Sequence, residues 1–110
     1  MSLPIFYAPW FDADLQLRTA WYIEQGGNEL ADRFVTAVEI TVRKLAGNPH
    51  SGRRPYPNDI ELSLLYCVLI ERPFHKYILY YRFTPQMLSL ERLIHGARDL
   101  PRWLRQPPGA

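Results

Sequence analysis

Between Leu64 and Ile94 the chain holds three apolar runs with almost nothing between them. Pro73 closes the first run, and Thr84-Pro85-Gln86 separates the second from the third. Connections this short leave no room for a crossover helix, so the runs must pair as an antiparallel meander. The pattern predicts strands over about Leu64–Glu71, Tyr77–Phe83 and Met87–Ile94. The last of them runs out into His95-Gly96-Ala97-Arg98-Asp99, where polar side chains are fixed at the end of a rigid element.

Upstream the apolar period changes. Ala31, Phe34, Val35, Val38, Val42 and Leu45 recur at helical spacing, which predicts a helix from Glu29 to about Ala46. Asn28 is a good cap for its start, and Gly47-Asn48-Pro49 ends it. An earlier helix is expected from about Asp12, whose side chain can cap free amides, to Gly26-Gly27. It carries Leu15, Trp21, Tyr22 and Ile23. Two helices joined by so short a loop predict an antiparallel hairpin.

Leu3–Tyr7 reads as a short first strand that Pro4 confines to an edge or to a strand start. Residues 48–63 read as a loop centred on Arg53-Arg54, and Asp99 to Arg105 as a terminal helical turn capped by Asp99. The order is β-α-α-β-β-β. A helical hairpin must bury its apolar stripe, and one face of a small antiparallel sheet is the surface available. The fold class is therefore α+β, in a single domain over residues 1–110.

With 110 residues and 47% hydrophobic content the chain can bury a real core. A chain this size removes roughly 60–70% of its unfolded surface from water. Low net charge and high apolar content argue against disorder. The net charge of +2 is unevenly placed. Residues 1–52 hold four bases and six acids, residues 53–110 nine bases and five acids, with Lys76 the one lysine among those nine. The basic half is expected either to face an anionic partner or to form a solvated, solubilising surface. The lone cysteine, Cys67, lies in an apolar run and reads as a buried small hydrophobe in a reducing cytosol. No apolar stretch reaches the ~20 residues that a bilayer span needs, and no secretory signal is visible.

Taken in order, the segments resemble the RelE/ParE superfamily of type II toxins, and within it the ParE-like, plasmid-stabilisation branch. The residues that carry the resemblance span almost the whole chain. The first helix has Ala13-Asp14-Leu15 and Trp21-Tyr22-Ile23; the second has Ala31-Asp32-Arg33-Phe34-Val35 and ends in Leu45-Ala46-Gly47-Asn48-Pro49. Gly52-Arg53-Arg54 and Pro73-Phe74 follow, then Tyr77-Ile78-Leu79-Tyr80-Tyr81-Arg82 and His95-Gly96-Ala97-Arg98-Asp99. The resemblance implies two helices on a curved antiparallel sheet. It implies a cognate antitoxin, ParD-like or similar, that wraps and silences the toxin as a hetero-oligomer. It implies a target too: DNA gyrase for ParE-like members, ribosome-bound messenger RNA for RelE-like ones. No cofactor, metal or membrane is implied.

Metal-free RNA cleavage needs a base, an acid and cations on the phosphate. Arg54, Arg82, His95 and Arg98 are the candidates for that chemistry. The chain lacks the lysine-rich patch of the RelE-like branch and a tyrosine after its last strand, which favours a gyrase poison, a binding inhibitor and not an enzyme. An inactive, antitoxin-binding homologue is the third reading. His95 is open between an acid–base role and a structural one closing the strand end against Arg98 or Asp99. Arg82 is open between a clamp for an antitoxin carboxylate and a structural partner of Glu71 or Glu91. Arg53, Arg54, Arg72, Lys76, Arg82 and Trp103 are the residues expected to bind antitoxin or target. Tyr77, Tyr80 and Tyr81 can stack bases but fit the core and its rim. The free toxin is expected to expose an apolar, basic groove over its sheet and to be poorly soluble.

Overall fold

A computed structural model describes residues 2–96 and 100–109. The sheet has four strands: β1 (Ile5–Tyr7), β2 (Tyr66–Leu69), β3 (Tyr77–Thr84) and β4 (Met87–His95), in the order β1-β4-β3-β2. β2, β3 and β4 form the antiparallel meander. β1 differs from the expected all-antiparallel sheet. It is an edge strand that begins just after Pro4, but it lies parallel to β4, with Ile5, Phe6 and Tyr7 opposite Leu88, Ser89 and Leu90. Leu88 N–H donates to Pro4 C=O and Ala8 N–H to Leu90 C=O, so the ladder extends past both ends of β1.

The two expected helices are one helical run, α1 (Pro9–Gly47), broken at Gly27. Gly27 has φ 76° and ψ −174°, a backbone conformation that any Cβ would strain. The run folds back there. In a continuous helix residues twelve apart would stand about 18 Å from each other. The rings of Tyr22 and Phe34 are 4.8 Å apart. The start of α1 is earlier than expected, because Pro9 takes the first turn, where its missing N–H costs nothing. Asp12 sits inside that turn and Ala8 is the uncapped boundary residue. At the far end Asn48 N–H donates to the Lys44 and Leu45 carbonyls.

The predicted apolar stripe is the buried one. Phe34, Val38, Val42 and Leu45 pack with Phe11 against Tyr77, Leu79, Tyr81, Leu88, Leu90 and Leu93 on one face of the sheet. Thr41 is buried among them; its hydroxyl donates to Ala37 C=O and accepts from Glu71 N–H, tying α1 to the end of β2.

The other face is covered as well, which corrects the expected open groove. Leu62 and Leu65 from the loop before β2, and Leu104 from a short helix α2 (Leu100–Leu104), bury Cys67, Ile78, Tyr80 and Ile94. The loop of residues 48–63 is therefore part of the core. It opens with a 3-10 turn at Pro49–Ser51, and Arg53 bridges to Cys67 through two backbone hydrogen bonds of 3.1 and 2.8 Å. Asp99, expected to cap the tail helix, lies outside the described residues.

A bulge sets which side chains of β4 face which layer. Tyr80 pairs with Arg92 and Tyr81 with Leu90, leaving Glu91 without an opposite residue. The alternation slips by one there. Leu88, Leu90 and Leu93 all point at the helices, and Arg92 is turned to the tail side.

Candidate partner-binding surface

Arg82 and His95 do not meet. Arg82 stands opposite Ser89 near one end of the β3–β4 ladder, and His95 opposite Tyr77 at the other. Arg82 and Tyr77 are five residue steps apart on β3, about 17 Å along the sheet. Their faces differ too. His95 packs edge-on against Tyr77 on the helix side, with ring centroids 5.2 Å apart. Arg82 lines a cleft with Leu62 and Leu104 on the tail side. Its guanidinium donates to the Glu61 carbonyl at 3.1 Å and lies 3.8 Å from the Glu91 carboxylate. Of the two acids considered for it, Glu91 is the partner.

The arginines of the basic half divide into two sets. Arg54 donates to Ser63 C=O at 2.8 Å, and Arg105 bridges Asp59 at 2.5 Å and Glu61 at 3.5 Å. With Arg82 these residues hold the covering loop and the tail in place, so much of the positive charge is used inside the protein. The Arg105 guanidinium, first through its hydrogen bond, holds the Asp59 carboxyl below the usual carboxylate range. Arg53, Arg72 and Lys76 are exposed and make no ion pair among the described residues. They sit on separate patches. Arg53 flanks β2, Arg72 lies beside Ile40 and Phe74 of the helix side, and Lys76 lies beside Tyr77 and His95. Trp103 is half-buried against the second core layer. Arg98 lies outside the described residues.

The sequence reading missed two clusters. The first is Arg92 with Asp14, which locks the tail to the sheet. The second surrounds Arg18 on the first arm of α1. The Arg18 guanidinium carbon lies 5.3 Å from the Trp21 ring centre and 5.4 Å from that of Tyr77. Arg18 and Trp21 are three apart on a helix and therefore neighbours on its surface, which was the available signal. Tyr77 comes from β3, which no local pattern connects to Arg18. The Tyr22 hydroxyl donates to the Tyr77 hydroxyl at 3.4 Å. Burial, then that hydrogen bond, pushes the Tyr77 phenol above the usual tyrosine range.

Arg18, Trp21, Tyr77 and His95 stand between two clefts. One, of about 590 Å³, runs toward Phe74 and Lys76; the other, of about 360 Å³, runs toward Trp103 and Pro107. Arg18 forms no ion pair among the described residues.

The tyrosines of β3 are core residues. Tyr80 and Tyr81 are fully buried on opposite faces. The Tyr81 hydroxyl donates to Pro49 C=O at 2.6 Å and accepts Gly52 N–H at 3.0 Å, fastening the 3-10 turn to the sheet. Burial pushes the Cys67 thiol up, away from the reactive thiolate. No group of three His, Cys, Asp or Glu residues among the described ones is placed to hold a metal. None of the described helices is long and apolar enough to cross a membrane.

Helices on one face of a four-stranded mixed sheet, with loop and tail on the other, define a small α+β domain. Its sequence matches the family model of the ParE toxin of the type II toxin-antitoxin system, parDE, over residues 5–100, and the chain belongs to that family. Membership of a toxin–antitoxin family implies an antitoxin partner. The fold is similar to that of a chain from the chromosomal ParDE toxin–antitoxin system of P. aeruginosa. The TM-score is 0.68 at 19% identity, over 86% of this chain and 96% of that one. No curated protein sequence matches significantly.

Proposed function

We propose that this toxin acts in the cytoplasm by binding and inhibiting DNA gyrase, and that a cognate, ParD-like antitoxin silences it in a hetero-oligomeric complex. Family membership supports the antitoxin and makes gyrase the first target to test. The observation that carries the choice between mechanisms is the separation of Arg82 from His95. Cleavage at one phosphate needs base, acid and charge within a few ångströms of the reacting atoms. Arg82 and His95 are at opposite ends and on opposite faces of the sheet, and Arg82 is tied to Glu61 and Glu91.

The test is a supercoiling assay with purified toxin and gyrase, run beside cleavage of ribosome-bound messenger RNA. Loss of supercoiling with cleaved DNA trapped, and intact message, is the expected result. Cut message with gyrase untouched would overturn the gyrase reading. In that case His95→Ala and Arg82→Ala identify whether either residue takes part. Addition of the antitoxin should restore supercoiling.

A further inference from the structure

We infer that Arg18 is the anchor of a preformed antitoxin-docking site, in which Trp21 and Tyr77 hold its guanidinium ready for a carboxylate of an acidic antitoxin segment. The inference rests on the antitoxin reading above and adds the place and the chemistry of the contact.

Three observations carry it. The guanidinium is held between two aromatic rings, at 5.3 and 5.4 Å. A planar cation stacked on ring faces keeps its N–H edges free for in-plane, bidentate hydrogen bonds. Its rotamer freedom is already reduced, so a ligand loses less entropy on binding it. Second, Arg18 has no acidic partner among the described residues, whereas Arg54, Arg82, Arg92 and Arg105 are all engaged. The nearest acid along the helix, Asp14, is consumed by Arg92.

Third, the surroundings fit a peptide. Trp21 is 43% exposed although it is among the largest apolar side chains, and Leu17 and Ile23 on the same arm are exposed with it. Clefts of about 590 and 360 Å³ open on either side of the Arg18 ridge, and Lys76 supplies a second cation in the larger one. An occupant that carries a carboxylate for Arg18, an apolar side chain for Trp21 and a further acid for Lys76 complements the ridge and the larger cleft beside it. Arginine and tryptophan are the residue types that most often dominate interface energetics.

The experiment uses full-length toxin and its full-length cognate antitoxin. Affinity is measured for wild type, Arg18→Glu and Trp21→Ala, with thermal unfolding of each variant as a fold control. Arg18→Glu should weaken binding at least about 30-fold, as expected when one partner of a desolvated charge pair is lost. Arg18→Lys should recover only part of that, because the planar fork is absent. Oxidative footprinting of the wild-type protein is the independent readout, and Trp21 should become protected in the complex. If Arg18→Glu does not fold, Arg18→Gln and the footprint decide the matter. Wild-type binding with Arg18→Glu within about twofold of it, or with Trp21 equally oxidised in free and bound toxin, overturns the site and leaves the antitoxin reading standing. Absence of any wild-type complex overturns both. Loss of oligonucleotide binding in Arg18→Glu with antitoxin affinity unchanged overturns the site as well, assigning it to nucleic acid.

Discussion

Arg92 and Asp14 form a bidentate pair across 78 residues of chain, with Nε and Nη2 donating to the two carboxylate oxygens at 2.8 and 3.0 Å. Their side chains are 6% and 9% exposed. The remaining nitrogen, Nη1, donates to the carbonyls of Trp103, Leu104 and Gln106, at the end of α2 and just beyond it. Asp14 also accepts Leu93 N–H at 2.9 Å, and the guanidinium lies 5.1 Å from the Trp10 ring centre. One side chain thus joins the first arm of α1, the bulge of β4 and the tail.

Breaking that pair from one side leaves a buried charge without a partner. Arg92→Met or Asp14→Ala should cost about 3–5 kcal/mol. Replacing both, as Asp14→Leu with Arg92→Met, should cost less than either single change, since no orphan charge remains. Urea unfolding of the three variants measures this. A single variant within about 1 kcal/mol of wild type would show that the pair is not the tail's lock.

Gly52 is held where no side chain fits. A Cβ there would meet the Cys67 carbonyl oxygen at 2.8 Å and come closer still to the Tyr81 hydroxyl. Gly52→Ala must displace the 3-10 turn from the sheet and should destabilise by about 1–3 kcal/mol. Tyr81→Phe removes the hydroxyl but orphans Pro49 C=O and Gly52 N–H, at about 1–3 kcal/mol. The double variant should be less destabilised than the sum, because the hydroxyl clash is gone. Strict additivity in thermal unfolding would refute the contact.

Alkaline pH should unfold the protein in a defined window. Burial raises the phenols of Tyr77 and Tyr80 above the usual range and pushes Tyr81 up to about 12 from the ordinary 10.0. Folding therefore favours the protonated phenols. Their contribution is full below pH 10 and is lost as pH rises through 10 toward 12 and beyond. Tyrosinate absorbance should show these three ionising together with the loss of circular dichroism. Smooth ionisation of all seven tyrosines in a protein still folded would contradict it.

At the acid end, Asp59 reports the tie between loop and tail. Its carboxyl is held below the ordinary 3.8 by the Arg105 hydrogen bond. A depressed carboxylate stabilises the fold above the ordinary value and ceases to do so as pH falls through the folded one. NMR titration should find Asp59 low in wild type and returned toward the ordinary value in Arg105→Ala. An unchanged titration would mean that the 2.5 Å contact does not persist in solution.

Much of this architecture was legible without coordinates. The helical stripe from Ala31 to Leu45, the breaks at Gly27 and Pro73, the short first strand behind Pro4 and the three-strand meander are consequences of local periodicity and local backbone chemistry. Such features depend on residues a few positions apart, so the chain by itself determines them. The family could be read for the same reason, from the order of those segments.

Tertiary structure alone decided the rest. β1 lies parallel to β4, a pairing between residues more than eighty positions apart that no short-range pattern encodes. The bulge at Glu91 was written only as a phase slip, Leu88 and Leu90 followed by Leu93, and it took the strand partner to turn Arg92 toward the tail and Asp14. Arg18, too, gained its second ring from β3. Which arginines are locks and which are left to meet a partner depends on where acids and carbonyls arrive in space. That arrival is set by the packing of the whole core.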